Sequence, residues 1–162
     1  MKVGDLVIVS NLGEMKVYRA EPRDLEAEAG LKPERVKLDL IDAKDYVLSH
    51  WKVRDIVTDD AGQFKGGSQG QGEFTQGSIG DRHELYKRVE AEVIDTIAKD
   101  ISDAVAVNNP PKWYLGLLGD IYDRVMEKVS DDAKKKLFMG LKKDLTKADK
   151  NELVEIFKKK FD

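Results

Sequence analysis

DLVIVSNLGEMKVYRAE, residues 5–21, holds two runs of strand-forming side chains around one turn. Leu6 and Ile8 lie before the turn, and Met15, Val17 and Tyr18 after it. Asn11-Leu12-Gly13 supplies the residue types that reverse a chain. The stretch therefore reads as a hairpin, and a hairpin commits the front of the chain to antiparallel pairing. The question for the rest of the sequence is whether later strands continue that meander or join through helical crossovers.

Residues 21–34 are polar, and Pro22, Gly30 and Pro33 mark a loop with room for a short helix. RVKLDLI, from Arg35, alternates Val36, Leu38 and Leu40 with charged neighbours, as a half-buried strand does. WKVRDIV at 51–57 suggests another short strand, which DDAG at 59–62 ends. Further on, Leu85, Val89, Val93, Ile97 and Ile101 recur every four residues, predicting a helix over 82–101 with one buried face. DAVAVNN at 103–109 reads as a central strand ended by Pro110-Pro111. Trp113, Leu117, Ile121 and Val125 then suggest a helix over 112–129. Within 134–143, Leu137, Met139 and Leu141 alternate, and Gly140 would cost a helix interior about 1 kcal/mol, so a strand is favoured. Thr146 reads as the N-cap of a last helix over 147–160, with Asp149 completing a weak capping box.

Strands alternating with helices in the second half imply crossovers and parallel pairing, while the hairpin makes the sheet mixed. The expected class is α/β, with a mixed central sheet flanked by helices. A chain of 162 residues suits one domain spanning 1–162.

Composition excludes several functions. The absence of cysteine removes disulfides, thiolate metal sites and cysteine nucleophiles, and agrees with a reducing cytoplasm. The first residues lack the apolar core of a signal peptide, and no stretch approaches the ~18 apolar residues of a membrane span. A cytoplasmic protein without membrane partners is expected. The net charge of −3 argues against a protein that coats duplex DNA. From Lys134 to Asp162, however, ten lysines face five acids, leaving a local surface able to meet phosphate. Lys158, Lys159 and Lys160 are its candidate RNA-binding residues.

GQFKGGSQGQGEFTQG, residues 62–77, is the other distinctive segment. Seven glycines fall between 62 and 80, which suggests a mobile loop because few apolar groups offset the entropy of ordering it. It is not a nucleotide-phosphate loop, since no Gly-Lys pair follows the required spacing. His50 and His83 are the only histidines and have no metal-ligand spacing, so neither metal nor cofactor is expected. No GxSxG marks a serine nucleophile. Glutamine remains: its amide donates and accepts hydrogen bonds but is neither nucleophile nor base at neutral pH. A glycine-rich arm could present it to a partner, and the plain alternative is a connector.

Four blocks resemble the bacterial host-attachment protein family. They are DLVIVSNLGEMKVYRAE at 5–21, VTDDAGQF at 57–64, NNPPKWYLGLL at 108–118 and KKDLTKADKNEL at 142–153. The resemblance implies kinship with the central domain of eukaryotic and archaeal peptide-chain release factors, and so an RNase H-like arrangement. That domain carries Gly-Gly-Gln between a strand and a long helix and uses it in hydrolysis of the peptidyl-tRNA ester. By position, Gly66-Gly67-Ser68-Gln69 and Gly70-Gln71-Gly72 correspond. The resemblance thus implies Gln69, ahead of Gln71, as catalytic candidates, with Gly66, Gly67, Gly70 and Gly72 shaping the backbone. Neither run is Gly-Gly-Gln, and a one-residue offset displaces an amide by roughly 3 Å. Asn11 also stands where the family usually has aspartate. Val7-Ile8-Val9 at the centre of the first strand supplies no carboxylate for an RNase H-like nuclease. Two functions follow as expectations. The first is a non-catalytic interaction or stress-associated protein with an unidentified protein partner. The alternative is a ribosome- or tRNA-associated factor with peptidyl-tRNA hydrolase-like activity.

Overall fold

The structure, a computed structural model, describes residues 1–47 and 71–161, with side chains for 1–47 and 82–159. The expected hairpin is present as β1, Leu6–Ser10, and β2, Glu14–Pro22, paired antiparallel from Leu6 opposite Arg19 to Ser10 opposite Met15. A single turn of helix, α1 at Leu25–Glu28, follows with Asp24 as its N-cap. β3, Val36–Asp45, then pairs antiparallel with β2, with an irregularity between Val17 and Tyr18. The proposed strand at 51–57 lies outside the described residues.

Chain order continues with α2, Gln71–Asn108, and β4, Trp113–Leu117. Then come α3, Gly119–Lys128, α4, Asp131–Lys136, β5, Leu137–Leu141, and α5, Lys150–Phe161. β4 pairs in parallel with both β1 and β5, so the sheet runs β3-β2-β1-β4-β5 and β2 alone is antiparallel to the rest. This is an α/β protein with a five-stranded mixed sheet flanked by helices.

β1 sits at the centre of the sheet, and all five of its residues are buried. The two-residue pleat divides them. Leu6 and Ile8 join Trp113, Leu115 and Leu117 against Ile97 and Ile101 of α2, Ile121 and Val125 of α3, and Ala133 of α4. Val7 and Val9 join Tyr114, Val36 and Leu38 on the other face, beneath Leu153 and Phe157 of α5.

Four sequence expectations change. DAVAVNN is not a strand but the last turns of α2, which run to Asn108. Asn109 then takes φ 44°, the left-handed conformation that asparagine tolerates after a helix, and its N–H bonds Val105 O at 2.8 Å. Trp113–Leu117 is a strand rather than the start of a helix. Both its faces are buried, so it reads as a continuous apolar run that happens to match helical spacing. Residues 71–80 are the first turns of α2, although the glycines at 72, 77 and 80 favoured a loop. Extending an existing helix secures one hydrogen bond per residue fixed, which is cheaper than nucleating one. Finally, Asp149 rather than Thr146 caps α5, its Oδ1 accepting from Glu152 N at 2.8 Å.

The choice of strand over helix at Leu137–Leu141 holds, and Gly140 has a packing reason of its own. A Cβ there would run into the Tyr122 hydroxyl of α3. β5 enters directly from α4, whose Ser130 cap accepts from Ala133 N and whose acids and lysines lie at the ends favoured by the helix dipole.

Candidate functional site

Asn11 follows the carboxyl end of β1. Its Oδ1 accepts from Gly13 N at 2.7 Å and Glu14 N at 2.9 Å, a side-chain mimic of a backbone turn that closes the hairpin. This leaves the amide NH2 free to reach the loop after β5. It donates to Asp144 Oδ2 at 2.9 Å and Thr146 Oγ at 3.2 Å. Asp144 Oδ1 accepts from Thr146 N at 3.0 Å and from its hydroxyl at 2.7 Å. From β2, Lys16 Nζ donates to Thr146 O at 2.8 Å. Glu14 lies between Lys16 and Lys147, its Oε1 3.8 and 3.5 Å from their ammonium nitrogens.

The junction thus joins two sequence blocks, NLGE at 11–14 and DLTK at 144–147, at one end of the sheet. Burial pushes the Asp144 carboxyl up, but the hydrogen bonds from Asn11 and Thr146, helped by Lys147, outweigh it and hold it below the ordinary value. Asp144 is therefore a weak base whose two oxygens are both occupied. Thr146 is fully buried and gives its proton to Asp144, so no substrate reaches that hydroxyl. The arrangement ties loops together. Close packing at the same place agrees: a Cβ on Gly116 of β4 would come within 2.6 Å of Leu145 Cδ1.

A different group of side chains gathers near the start of β4. Lys2, Lys112 and Lys158 line a cleft of about 320 Å³ together with Tyr114, Phe138 and Phe157. Lys112 Nζ stands 4.3 Å from the Phe138 ring centre and 3.8 Å from Asp5, which is almost wholly buried. A second cleft of about 520 Å³ lies between α2 and α4. Within it Ser102 Oγ accepts from Ser130 N and Lys136 bonds Asn109.

Residues 6–156 match the family described as "Protein required for attachment to host cells". The chain belongs to that family. No curated protein matches the sequence. The match spans the Asn11 and Asp144–Lys147 elements, so the junction lies within the host-attachment region.

Of the candidates named from the sequence, Gly66, Gly67, Gln69 and Gly70 lie outside the described residues. Gln71 and Gly72 are the first two residues of α2, with no side-chain placement for Gln71. Lys158 and Lys159 are exposed on α5, and Lys158 reaches the Tyr114 cleft; Lys160 belongs to the same helix. The sequence reading missed Asp144 as a partner of Asn11 and Lys16 as a partner of the Thr146 carbonyl, and missed Lys112 and Tyr114 altogether. Among the described residues, no group of three His, Asp or Glu side chains is placed to hold a metal ion. No described helix is long and apolar enough to cross a membrane.

Proposed function

We propose that this member of the host-attachment family is a non-catalytic cytoplasmic interaction protein built on an RNase H-like fold. The strand order, with β2 alone reversed, supports the fold reading. One observation carries the functional reading. At the end of β1, Asn11 donates to Asp144 and Thr146 where an aspartate would place two carboxylates face to face. Two facing carboxylates would share a proton or recruit a cation. The asparagine turns the same position into a closed hydrogen-bonded tie. Together with the acid-free β1, this favours a scaffold that acts through its surfaces.

A second reading, a ribosome- or tRNA-associated factor with peptidyl-tRNA hydrolase-like activity, draws on the length of α2. This helix has 38 residues, ~57 Å of axis, and begins at Gln71, within the glycine-rich segment. Such a helix would support a glutamine-presenting arm at its amino end. Exposed Lys158 and Lys159 would then serve RNA contact.

The two readings separate in a hydrolysis assay on peptidyl-tRNA, free and ribosome-bound. The non-catalytic reading predicts the uncatalysed background rate for wild type in both settings. Turnover that Gln69→Ala or Gln71→Ala abolishes would overturn it in favour of the second. Cosedimentation with ribosomes across a salt series adds a binding readout. RNA contact predicts binding that weakens with salt, with a shallower dependence once Lys158, Lys159 and Lys160 are replaced.

A further inference from the structure

The cleft at the start of β4 combines features that a plain solvent-filled groove does not need. Tyr114 is 1 % exposed, and its hydroxyl has no hydrogen-bond partner among the described residues. A buried hydroxyl left unbonded has given up water without compensation, so each one in a folded protein calls for an explanation. Its ring packs against Phe138 and Phe157, with centroids 5.4 and 5.3 Å away, in the wall of the cleft. Burial, aided by the negative charge of Asp5, pushes the phenol up to about 12. At neutral pH it is therefore a donor waiting for an acceptor.

Charge around the cleft points to what that acceptor is. Lys2, Lys112 and Lys158 come from the segment before β1, the segment before β4 and the face of α5, and they converge on one space. Glu34 lies on the rim. Asp5 is already engaged by Lys2 N at 2.8 Å and by Lys112. Three lysine ammonium groups and the Met1 α-amino group, whose pKa burial and Lys112 lower, stand against two acids and leave the cleft cationic. The remaining lining is aromatic and apolar, and the volume of about 320 Å³ suits a small molecule rather than a bare ion.

We propose that this cleft binds a small organic phosphate, its phosphate held by Lys2, Lys112, Lys158 and the Tyr114 hydroxyl, its apolar body against Phe138 and Phe157. Phosphate suits the site because its several acceptor oxygens can take charge-assisted hydrogen bonds from separate donors at once. The site lies apart from the Asn11 junction and stands whether or not the protein is catalytic.

Calorimetric titration of the full chain with phenyl phosphate, inorganic phosphate and phenol tests it. Phenyl phosphate is expected to saturate one site at least tenfold more tightly than either fragment. Tyr114→Phe keeps the ring and removes only the hydroxyl. It should weaken phenyl phosphate about tenfold or more while leaving the melting temperature unchanged or higher, because it deletes an unsatisfied buried group. Lys158→Ala, at an exposed position, should weaken binding severalfold without affecting folding. No saturable binding of phenyl phosphate at millimolar concentration would overturn the proposal. So would equal binding of inorganic phosphate, or an affinity for phenyl phosphate that Tyr114→Phe leaves intact.

Discussion

Replacing Asn11 with aspartate is expected to destabilise the protein by about 2–3 kcal/mol at neutral pH and to make its stability rise as the solution is acidified. The aspartate would keep the turn bonds to Gly13 N and Glu14 N, since both use an oxygen. Its second oxygen would replace the NH2 that now donates to Asp144 Oδ2 at 2.9 Å. Two hydrogen bonds are lost and two carboxylates face each other. The exposure of Asp144 to solvent moderates the repulsion, as does the proximity of Lys16 and Lys147. In the parent protein the Asp144 carboxyl is held below its ordinary value of 3.8. Its stabilising contribution is thus complete above that value and disappears only as pH falls through its folded pKa. In the variant the facing pair takes up a proton above the ordinary carboxylate range, so stability returns as pH falls through that raised value. Urea unfolding at pH 7 and pH 5 reads the difference: the variant gains on the parent at the lower pH. A gap between the two proteins that does not change with pH would contradict the facing-carboxylate geometry.

The second large effect is expected at Trp113. Its side chain is fully buried beneath α2, α3 and α4, in a strand position flanked by Leu6 and Leu137. Its indole N–H donates to Ala133 O at 2.7 Å, joining α4 to the sheet. Trp113→Ala should cost about 3–5 kcal/mol from the cavity alone and strand the Ala133 carbonyl as well. For a domain of this size that corresponds to a fall of about 10–15 °C in melting temperature. Trp113→Phe retains most of the volume and should lose far less. Thermal unfolding followed by far-ultraviolet circular dichroism checks both, and a similar drop for the two variants would show that the hydrogen bond, not the volume, dominates.

The elements legible in the sequence are those with one dominant periodicity or one decisive residue. The hairpin was visible through the turn at Asn11-Leu12-Gly13, and β5 because Gly140 weighed against a helix. β4 was not, because a strand buried on both faces loses its alternation, and its spacing merges with the apolar stripe of α3. The end of α2 was misread although its signal was present: asparagine followed by two prolines is a helix stop as readily as a strand end. The junction was legible only as two separate blocks. Asn11 and Asp144 stand 133 residues apart, and no spacing rule connects them until the sheet order brings the hairpin turn to the loop after β5. Lys158 could be picked out as a surface cation, but its partnership with Lys112 and Tyr114 is a product of the fold.

The claim that the Asn11–Asp144 contact is a structural tie is tested most directly by a double-mutant cycle. The parent, Asn11→Ala, Asp144→Ala and the double variant are unfolded in urea at neutral pH. Each single change is expected to destabilise, and the double variant to fall short of their sum by about 1–2 kcal/mol, as for residues sharing hydrogen bonds. Strictly additive effects would contradict it, because two side chains that do not depend on one another cannot tie the hairpin turn to the loop after β5.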